Sequence, residues 1–298
     1  MRLVRFNSSC TKFQPLIENY KTLRHVHFDG ITPFKEGQEL QDQILKANLS
    51  FKEIESKIKK NQVDLAKQGF EVSEYEQGLL DKILDMKPFP TLLTFEFNNV
   101  YTGGKKLKKD PTLPQQIENY RKLGCDYYQL ERGGDVTWHG NGQLVAYLIL
   151  DLKKFSNLSV RCFVDSVLLR SIQDLLRKNY KLESQLDANP GVWVENGSQL
   201  DKIASIGTNI QRGITTYGIG LNVKPELKFL NSFVMCGLPS VKATSIQELR
   251  PTENLTIKEV SMLYSKEIAK NLGIERVEHL NGEDVKQQQQ QMEQEKQQ

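Results

Sequence analysis

Hydrophobic residues recur with helical spacing at several places along the chain. The first helical stretch covers residues 34 to 45, and a second is predicted from Ser50, which opens a capping-box pattern. Another helix is predicted over residues 160 to 178, because its apolar positions share one face and its last turn is basic. A final helix is predicted to begin after Thr256 and to end at Gly273, a residue type suited to a left-handed cap.

Several short segments have the apolar, β-branched composition that is typical of strands. They are LLTFEF (92–97), YYQLE (127–131), QLVAYLIL (143–150), GVWVE (191–195), DKIASIG (201–207) and ITTYGIGLNV (214–223). The Gly-Ser of ENGSQ predicts a hairpin turn between GVWVE and DKIASIG. The lysine-rich residues 105–114 are predicted to form an exposed loop, and residues 132–143 an inter-strand loop.

The order of strands and helices predicts one α/β (α+β) domain with a mixed β-sheet and packed helices. This domain is predicted over residues 30–280, because no linker rich in Pro, Gly or Ser divides that part of the chain. Residues 282–298, GEDVKQQQQQMEQEKQQ, are polar and low in complexity, so a glutamine-rich disordered tail is predicted there.

Composition narrows the class of protein. With 38% hydrophobic and 26% charged residues, the chain has the balance of a soluble globular protein. No run approaches the roughly 18 apolar residues of a membrane span, so no transmembrane segment is expected. The 40 basic and 37 acidic residues are evenly spread, and a net charge of +3 does not indicate a nucleic-acid partner.

The cysteines and the N-terminus indicate the cellular compartment. The four cysteines lie far apart with no C-x-x-C pair, which argues against a zinc site, a redox dithiol or a disulfide scaffold and favours a reducing compartment. The first seventeen residues, MRLVRFNSSCTKFQPLI, carry basic and hydroxyl residues and no acid. This composition predicts a mitochondrial presequence within residues 1–25, with a plain disordered N-terminus as the alternative.

Residues 132–143, RGGDVTWHGNGQ, concentrate glycine and polar side chains. They contain neither the G-x-G-x-x-G of a dinucleotide site nor the G-x-x-x-x-G-K-S/T of a phosphate-binding loop. His139 has only Asp135 near it at a ligand-like spacing, so no metal is predicted. A simple glycine turn and a substrate-binding loop both remain compatible with the composition.

A longer pattern around this motif resembles a known family. RGGDVTWHGNGQ is similar to the R-G-G-x-x-T-x-H-G-P-G-Q signature of the octanoyltransferases of lipoate assembly. Three more blocks resemble that family in the same order: LLTFEFNNVYTGGKK (92–106), GVWVE to GLNV (191–223), and FVMCGL with KATSIQEL (233–249). The resemblance covers about residues 35 to 250. It implies the fold of the catalytic modules of biotin and lipoate protein ligases, with an acyl tunnel beside the sheet.

The resemblance also implies a reaction and its partners. Such enzymes move an octanoyl group from octanoyl-acyl carrier protein to a lysine amine on lipoyl domains of 2-oxoacid dehydrogenase complexes and glycine cleavage H protein. This is the first step of endogenous protein lipoylation and would place the protein in the mitochondrial matrix. A thioester is already activated, so no cofactor is expected. The implied catalytic residues are Cys236, as the nucleophile that forms a thioester intermediate, and Lys202 beside it.

The same transfer of motif positions implies a set of substrate-binding residues. They are Arg132, Gly133, Gly134, Asp135, Val136, Thr137, Trp138, His139, Ser205, Ile206, Gly207, Gly218, Ile219 and Gly220. Glycines would let the backbone approach the acyl thioester, and isoleucines would supply apolar wall. Taken singly, each has an ordinary alternative: a cysteine is often a small buried hydrophobe, a lysine a surface charge, and a strand isoleucine part of the core.

Three positions depart from the family pattern. Asn141 replaces the proline of H-G-P-G-Q, Leu148 replaces a proline of the next strand, and Tyr217 replaces a histidine. Two further functions remain open: an ATP-dependent lipoate or biotin ligase, which would not require Cys236, and a non-catalytic scaffold that binds lipoyl domains. A cysteine amidotransferase that moves octanoyl between lipoyl domains is a further alternative.

Overall fold

The computed structural model describes residues 10, 12–187, 189–197, 199–233 and 241–295. The strands are β1 (Thr22–Thr32), β2 (Thr91–Phe97), β3 (Val100–Gly103), β4 (Asp126–Gln129), β5 (Val136–His139), β6 (Gln143–Ile149), β7 (Val192–Asn196), β8 (Gln199–Gln211), β9 (Ile214–Asn222) and β10 (Arg276–Asn281). The α-helices are α1 (Phe34–Lys67), α2 (Glu74–Leu84), α3 (Leu113–Lys122), α4 (Val160–Cys162), α5 (Arg170–Tyr180), α6 (Leu227–Leu230), α7 (Ile246–Leu249), α8 (Ile257–Leu272) and α9 (Gly282–Glu295). A π-helical turn, Phe163–Leu169, joins α4 to α5.

Two β-sheets form the framework. The larger has seven strands in the order β10-β1-β2-β6-β9-β8-β7, and the smaller has three in the order β4-β3-β5. Strand β1 runs parallel to both β10 and β2, whereas β6, β9, β8 and β7 pair antiparallel. The sheet is therefore mixed, as the sequence predicts.

Helices cover both faces of the large sheet. Leu144 and Leu148 of β6 pack into the cluster that contains α5 and α8, while Val145 and Ile149 pack into the cluster under α1. Successive residues of a strand point to opposite faces, so each face of β6 enters a different core layer. This explains why QLVAYLIL is apolar without alternation.

The first helix is longer than predicted. α1 runs without interruption past Ser50, because Phe51 is buried and continues its apolar face. A capping box does form, but at Ser73 and Glu76, where it opens α2. The prediction of a helix start at Ser50 is wrong, because burial of the next residue outweighs a local capping preference.

The N-terminal part of the chain belongs to the folded body. Phe13, Tyr20 and Leu23 are buried in the main core, and β1 lies between β10 and β2 in the large sheet. The packed region therefore begins before residue 30, the predicted start of the domain. It includes part of the predicted presequence, residues 1–25.

Two segments that were predicted to be irregular contain helix. Residues Lys105–Lys109 form a 3-10 turn, and α3 follows at Leu113 with a proline in its first turn. The predicted disordered tail is helical over Gly282–Glu295, where Lys286 pairs with Glu36 and lies over the Phe28 ring. Contacts with the body stabilise the start of α9, which its polar composition alone does not indicate.

Cys10 and Cys162 form a disulfide, contrary to the expectation from cysteine spacing. The segment after Cys10 runs beside residues 154–156, where Leu16 donates its backbone N–H to the carbonyl of Lys154. This pairing carries Cys10 to the start of α4, although 152 residues separate the two cysteines. Spacing along the chain could not reveal a contact made by tertiary packing.

Reduction of this disulfide should destabilise the protein. A cross-link that closes a long loop restricts the unfolded chain and typically contributes about 2–4 kcal/mol. We expect reductant to lower the urea midpoint of the wild type, and Cys162→Ser to show the lower midpoint with or without reductant. A wild-type midpoint that does not respond to reductant would contradict the cross-link.

Three histidines lie together on β1 and β10, with His25 and His27 buried and His279 exposed. His25 Nδ1 lies 2.8 Å from His279 Nδ1, and both His25 and His27 hydrogen-bond Thr94 Oγ1. Burial and the neighbouring histidines lower the pKa of His25 from 6.5 to about 3. The folded state therefore favours the neutral imidazole.

This cluster predicts a loss of stability in mild acid. Below the unfolded-state pKa of 6.5 the unfolded chain binds more protons than the folded one, so the free energy of unfolding falls as pH drops from 6.5 towards 3. His25→Gln removes one such group, and its urea midpoint should fall less steeply between pH 7 and pH 5. An identical slope in the variant would mean that His25 does not titrate as described.

Candidate active site

A cavity of about 140 Å³ lies where β5, β8, β9 and the loop after β4 meet. It is lined by Lys106, Leu130, Arg132, Gly134, Asp135, Val136, Thr137, His139, Tyr147, Asn189, Pro190, Lys202, Ser205, Ile206, Gly207, Tyr217, Gly218, Ile219, Gly220 and Phe233. This set contains every sequence-predicted substrate-binding residue except Gly133 and Trp138. The loop that follows β4 and the two strand triplets, 205–207 and 218–220, thus converge on one cavity.

Strand pairing places the two predicted triplets side by side in the sheet. Ser205, Ile206 and Gly207 of β8 pair with Gly220, Ile219 and Gly218 of β9, respectively. The antiparallel ladder therefore places the two predicted triplets opposite each other along one wall. A shift of one residue would turn the side chains of one strand to the other face of the sheet.

Arg132 holds the glycine loop in place. Its guanidinium donates hydrogen bonds to the backbone carbonyls of Thr102, at 2.6 Å, and Asp135, at 2.9 Å, and to that of Gly133. Burial lowers the pKa of this arginine, since its side chain is 6% exposed. Backbone carbonyls thus take the place of water around the buried charge.

The two glycines after Arg132 differ in their roles. Gly134 has a φ of +90°, a conformation that favours glycine, and lines the cavity. Gly133 instead donates its N–H to the carbonyl of Thr208 at 2.9 Å, which ties the loop to β8. The Gly133 N–H is therefore already bonded and is not a donor to a ligand in the cavity.

Side chains of β5 divide between the cavity and a second cluster. Thr137 and His139 line the cavity, whereas the Trp138 ring stacks on Phe229 with 5.3 Å between ring centroids. Trp138 is 1% exposed and does not line the cavity, unlike its predicted role. Thr137 Oγ1 has no hydrogen-bond partner within the described part of the chain.

Lys202 reaches the cavity from β8. Its side chain is 6% exposed, and Nζ lies 5.2 Å from the centre of the Trp193 ring, whose face attracts a cation. Gly191 leaves room for it, because a β-carbon there would lie 2.5 Å from Lys202 Cε. The predicted surface alternative for this lysine is therefore wrong.

Cys236 lies outside the described residues. Chain on both sides of the gap around it is described and lies at the site. Phe233 lines the cavity, and Lys242 accepts a hydrogen bond from the Lys202 backbone N–H at 2.8 Å.

Two buried amides at the site were missed by sequence reasoning. Gln143 Oε1 lies 2.7 Å from His139 Nδ1, and Gln143 Nε2 donates to Asn222 Oδ1 at 2.9 Å. Asn222 Nδ2 in turn donates to the backbone carbonyl of Thr244 at 2.9 Å. An amide residue within an otherwise apolar strand was the available signal, since such a group needs buried partners.

Burial keeps His139 neutral. It lowers the pKa of His139 from 6.5 to about 4, although the bond with Gln143 opposes this shift, and Arg132 lowers the pKa further. The ring lies parallel to Phe34 and at a steep angle to Phe97, each with 6.3 Å between centroids. Its orientation is therefore fixed by both packing and hydrogen bonding.

The three departures from the family pattern lie in different environments. Asn141 is exposed at the turn between β5 and β6, away from the cavity, and Leu148 is buried in the main core. Tyr217 lines the cavity with a φ of +60°, an uncommon conformation for tyrosine, and packs edge-on against Tyr147. Only Tyr217 therefore changes the surface that a substrate meets.

Neither a metal cluster nor a membrane span is found in the parts of the chain that the structure describes. No group of three or more His, Cys, Asp or Glu residues there is arranged to hold a metal ion. Among the described helices, none combines the length and the apolar character needed to cross a bilayer.

Comparison with known proteins gives a consistent family. Residues 68–269 match the family model of the lipoyl protein ligase A/B catalytic domain. The chain is 38% identical over 291 residues to the mitochondrial octanoyltransferase of Saccharomyces cerevisiae, covering 91% of this chain and 88% of that one. It is 39% identical over 309 residues to the mitochondrial octanoyltransferase of Kluyveromyces lactis, covering 95% and 92%.

A solved structure supports the same fold. The chain superposes on a P. falciparum protein in complex with lipoate with a TM-score of 0.52 at 14% identity, covering 87% of this chain and 66% of that one. With the convergent cavity and the sequence matches above, the chain belongs to the octanoyltransferases of the lipoyl protein ligase A/B catalytic family.

Proposed function

We propose that this enzyme transfers an octanoyl group from octanoyl-acyl carrier protein to lysine amines of lipoyl domains, through a thioester on Cys236. Its acceptors are the lipoyl domains of 2-oxoacid dehydrogenase complexes and glycine cleavage H protein, in the mitochondrial matrix. One observation carries the proposal: buried Lys202 shares a cavity with the loop and both strand triplets of the family motifs. The mitochondrial relatives support the location.

The proposed reaction has two balanced steps. The Cys236 thiolate attacks the thioester carbonyl carbon, and the carrier thiolate leaves as the acyl-enzyme forms. The lysine amine of the lipoyl domain then attacks the same carbon, an amide bond forms, and Cys236 leaves as thiolate. Lys202, when neutral, accepts the proton that the amine loses, and when charged it stabilises the thiolate.

The cavity walls suit both ends of an acyl thioester. Ile206, Ile219 and Leu130 offer apolar surface to the hydrocarbon chain. Thr137 Oγ1 is a buried hydroxyl with no partner in the described residues, so it is positioned to donate to the thioester carbonyl oxygen as charge develops there. We propose Thr137 for that role because the N–H of nearby Gly133 is already bonded to the carbonyl of Thr208.

Packing limits the presequence that we propose. Phe13 and Tyr20 are core residues, and removal of residues 1–25 would take both and the start of β1 with them. We therefore place the removable segment before Cys10, because the disulfide with Cys162 ties that residue to the folded body, and this segment contains the basic residues Arg2 and Arg5.

Intact-protein mass spectrometry tests the mechanism. Wild-type protein incubated with octanoyl-acyl carrier protein and no ATP should gain one octanoyl group, and Cys236→Ser should gain none. Cys125→Ser is the matched control, because Cys125 is a buried free thiol away from the cavity, and it should retain the adduct. No wild-type adduct, an adduct that survives in Cys236→Ser, or a requirement for ATP would overturn the proposal, and the last outcome would favour a ligase.

Gly207→Ala tests the role of the cavity wall. A β-carbon at Gly207 would lie 2.8 Å from Arg132 Cδ, so the arginine must move and the loop that it holds must move with it. Small displacements in an active site cost on the order of 10²-fold in rate. We expect octanoyl transfer by Gly207→Ala to fall by about that factor, measured at saturating donor.

Gly78→Ala provides the control for this glycine substitution. A β-carbon at Gly78, on α2, would meet open space, so the substitution should leave the transfer rate unchanged. A wild-type rate in Gly207→Ala would show that Arg132 and its loop are not part of the reactive geometry.

A further inference from the structure

The hydrogen bonds around Gln143 have a fixed direction. Backbone carbonyls can only accept, so Asn222 must turn its NH₂ group towards the carbonyl of Thr244, and its Oδ1 towards Gln143. Gln143 must then donate through Nε2 and present Oε1 to His139. His139 therefore carries its proton on Nδ1.

A neutral imidazole holds one ring proton, so this tautomer leaves a lone pair on His139 Nε2. His139 lines the cavity and is 6% exposed, and no hydrogen bond from a described residue competes for the Nε2 lone pair. Phe34 and Phe97 hold the ring plane. His139 Nε2 is thus a hydrogen-bond acceptor with a fixed direction on the cavity wall.

Strand pairing builds this chain of amides. Gln143 and Asn222 are direct partners in the antiparallel ladder of β6 and β9, and both are almost completely buried. Gly220 leaves room for the contact, because a β-carbon there would lie 2.9 Å from Gln143 Oε1. Asn222 Nδ2 also lies 3.4 Å from the carbonyl of Lys202, so the amides connect both walls of the cavity.

We propose that His139 is a catalytic residue whose Nε2 accepts a hydrogen bond from the attacking lysine amine, and that Gln143 and Asn222 are positioning residues that fix its tautomer. This inference rests on the proposed transfer to a lysine. A lone pair cannot donate to the thioester carbonyl, so the partner of Nε2 must be a hydrogen-bond donor, and in the transfer step the attacking amine supplies an N–H. By accepting one amine hydrogen, Nε2 directs the nitrogen lone pair of the substrate towards the acyl carbon.

The surrounding charges favour an acceptor that stays neutral. The titratable groups that share the cavity with His139 are Arg132, Lys106, Asp135, Lys202, Tyr147 and Tyr217. Burial and Arg132 hold the pKa of His139 at about 4, so the lone pair is available at neutral pH. The same low basicity assigns net proton removal to another group, which agrees with the role proposed for Lys202.

Tautomer and half-reactions can be measured separately. Long-range ¹H–¹⁵N NMR correlations of the wild type, with His139 assigned by comparison with His139→Phe, should show a protonated Nδ1 and an unprotonated Nε2. For kinetics, acylation by octanoyl-acyl carrier protein and transfer from preformed acyl-enzyme to a lipoyl domain are timed individually.

His139→Phe keeps an aromatic ring between Phe34 and Phe97 but removes the acceptor. We expect it to slow transfer to the lysine on the order of 10²-fold while acylation stays close to wild type. Gln143→Met should slow the same step by a smaller factor, because it removes the acceptor of Nδ1–H and no longer fixes the tautomer. Asn48→Met, which removes a buried amide on α1 away from the cavity, should change neither step.

A protonated Nε2 in the wild type would overturn the inference, as would a defect that falls on acylation or equally on both steps. If the wild type forms no acyl-enzyme and no amide, the proposed function fails. The tautomer measurement still decides the direction of the hydrogen bonds in that case.

Discussion

The antiparallel pairing of β9 with β6 and β8 is the constraint on which the site depends. The register between β8 and β9 places residues 205–207 opposite residues 218–220, and the register between β6 and β9 places Gln143 opposite Asn222. Because side chains alternate between faces, these pairings decide which groups meet the cavity and which enter the helical layers. Helices pack on both faces of the sheet, so a shifted register would bury polar side chains against apolar ones. The free-energy cost of that burial favours the observed register, which determines the site as well as the fold.

Two buried cations on the cavity wall are stabilised in different ways. Arg132 is surrounded by backbone carbonyls, and Lys202 lies over the face of Trp193. The buried Asp151, which follows β6, pairs directly with Lys52, and this ion pair lies outside the residues that line the cavity.

Helix caps and short apolar segments in the sequence correctly predicted those elements that depend mainly on local interactions. Thr256 and Gly273 do cap α8, and the β7 to β9 segment forms the predicted strands. Strands β1 and β10 escaped prediction because each is completed by the other from the opposite end of the chain, with polar histidines that are satisfied only after pairing. For the site, most of the motif positions do lie on the cavity wall. The motif could not show that Trp138 faces away from the cavity while its neighbours line it. Nor could it show that Gln143 and Asn222 are in contact, because that contact forms only when their two strands pair.

The replacement of the family histidine by Tyr217 sharpens the division of roles in the cavity. Burial raises the pKa of this tyrosine, so its hydroxyl is protonated at neutral pH and can donate but does not act as a base. His139 is also a poor base, because it is held neutral by its surroundings. Among the basic side chains on the cavity wall, Arg132 is committed to loop carbonyls, and Lys202 is the group that we propose for proton transfer. The proposed roles are thus divided between Lys202, which moves the proton, and His139, which orients the attacking amine without changing its own charge.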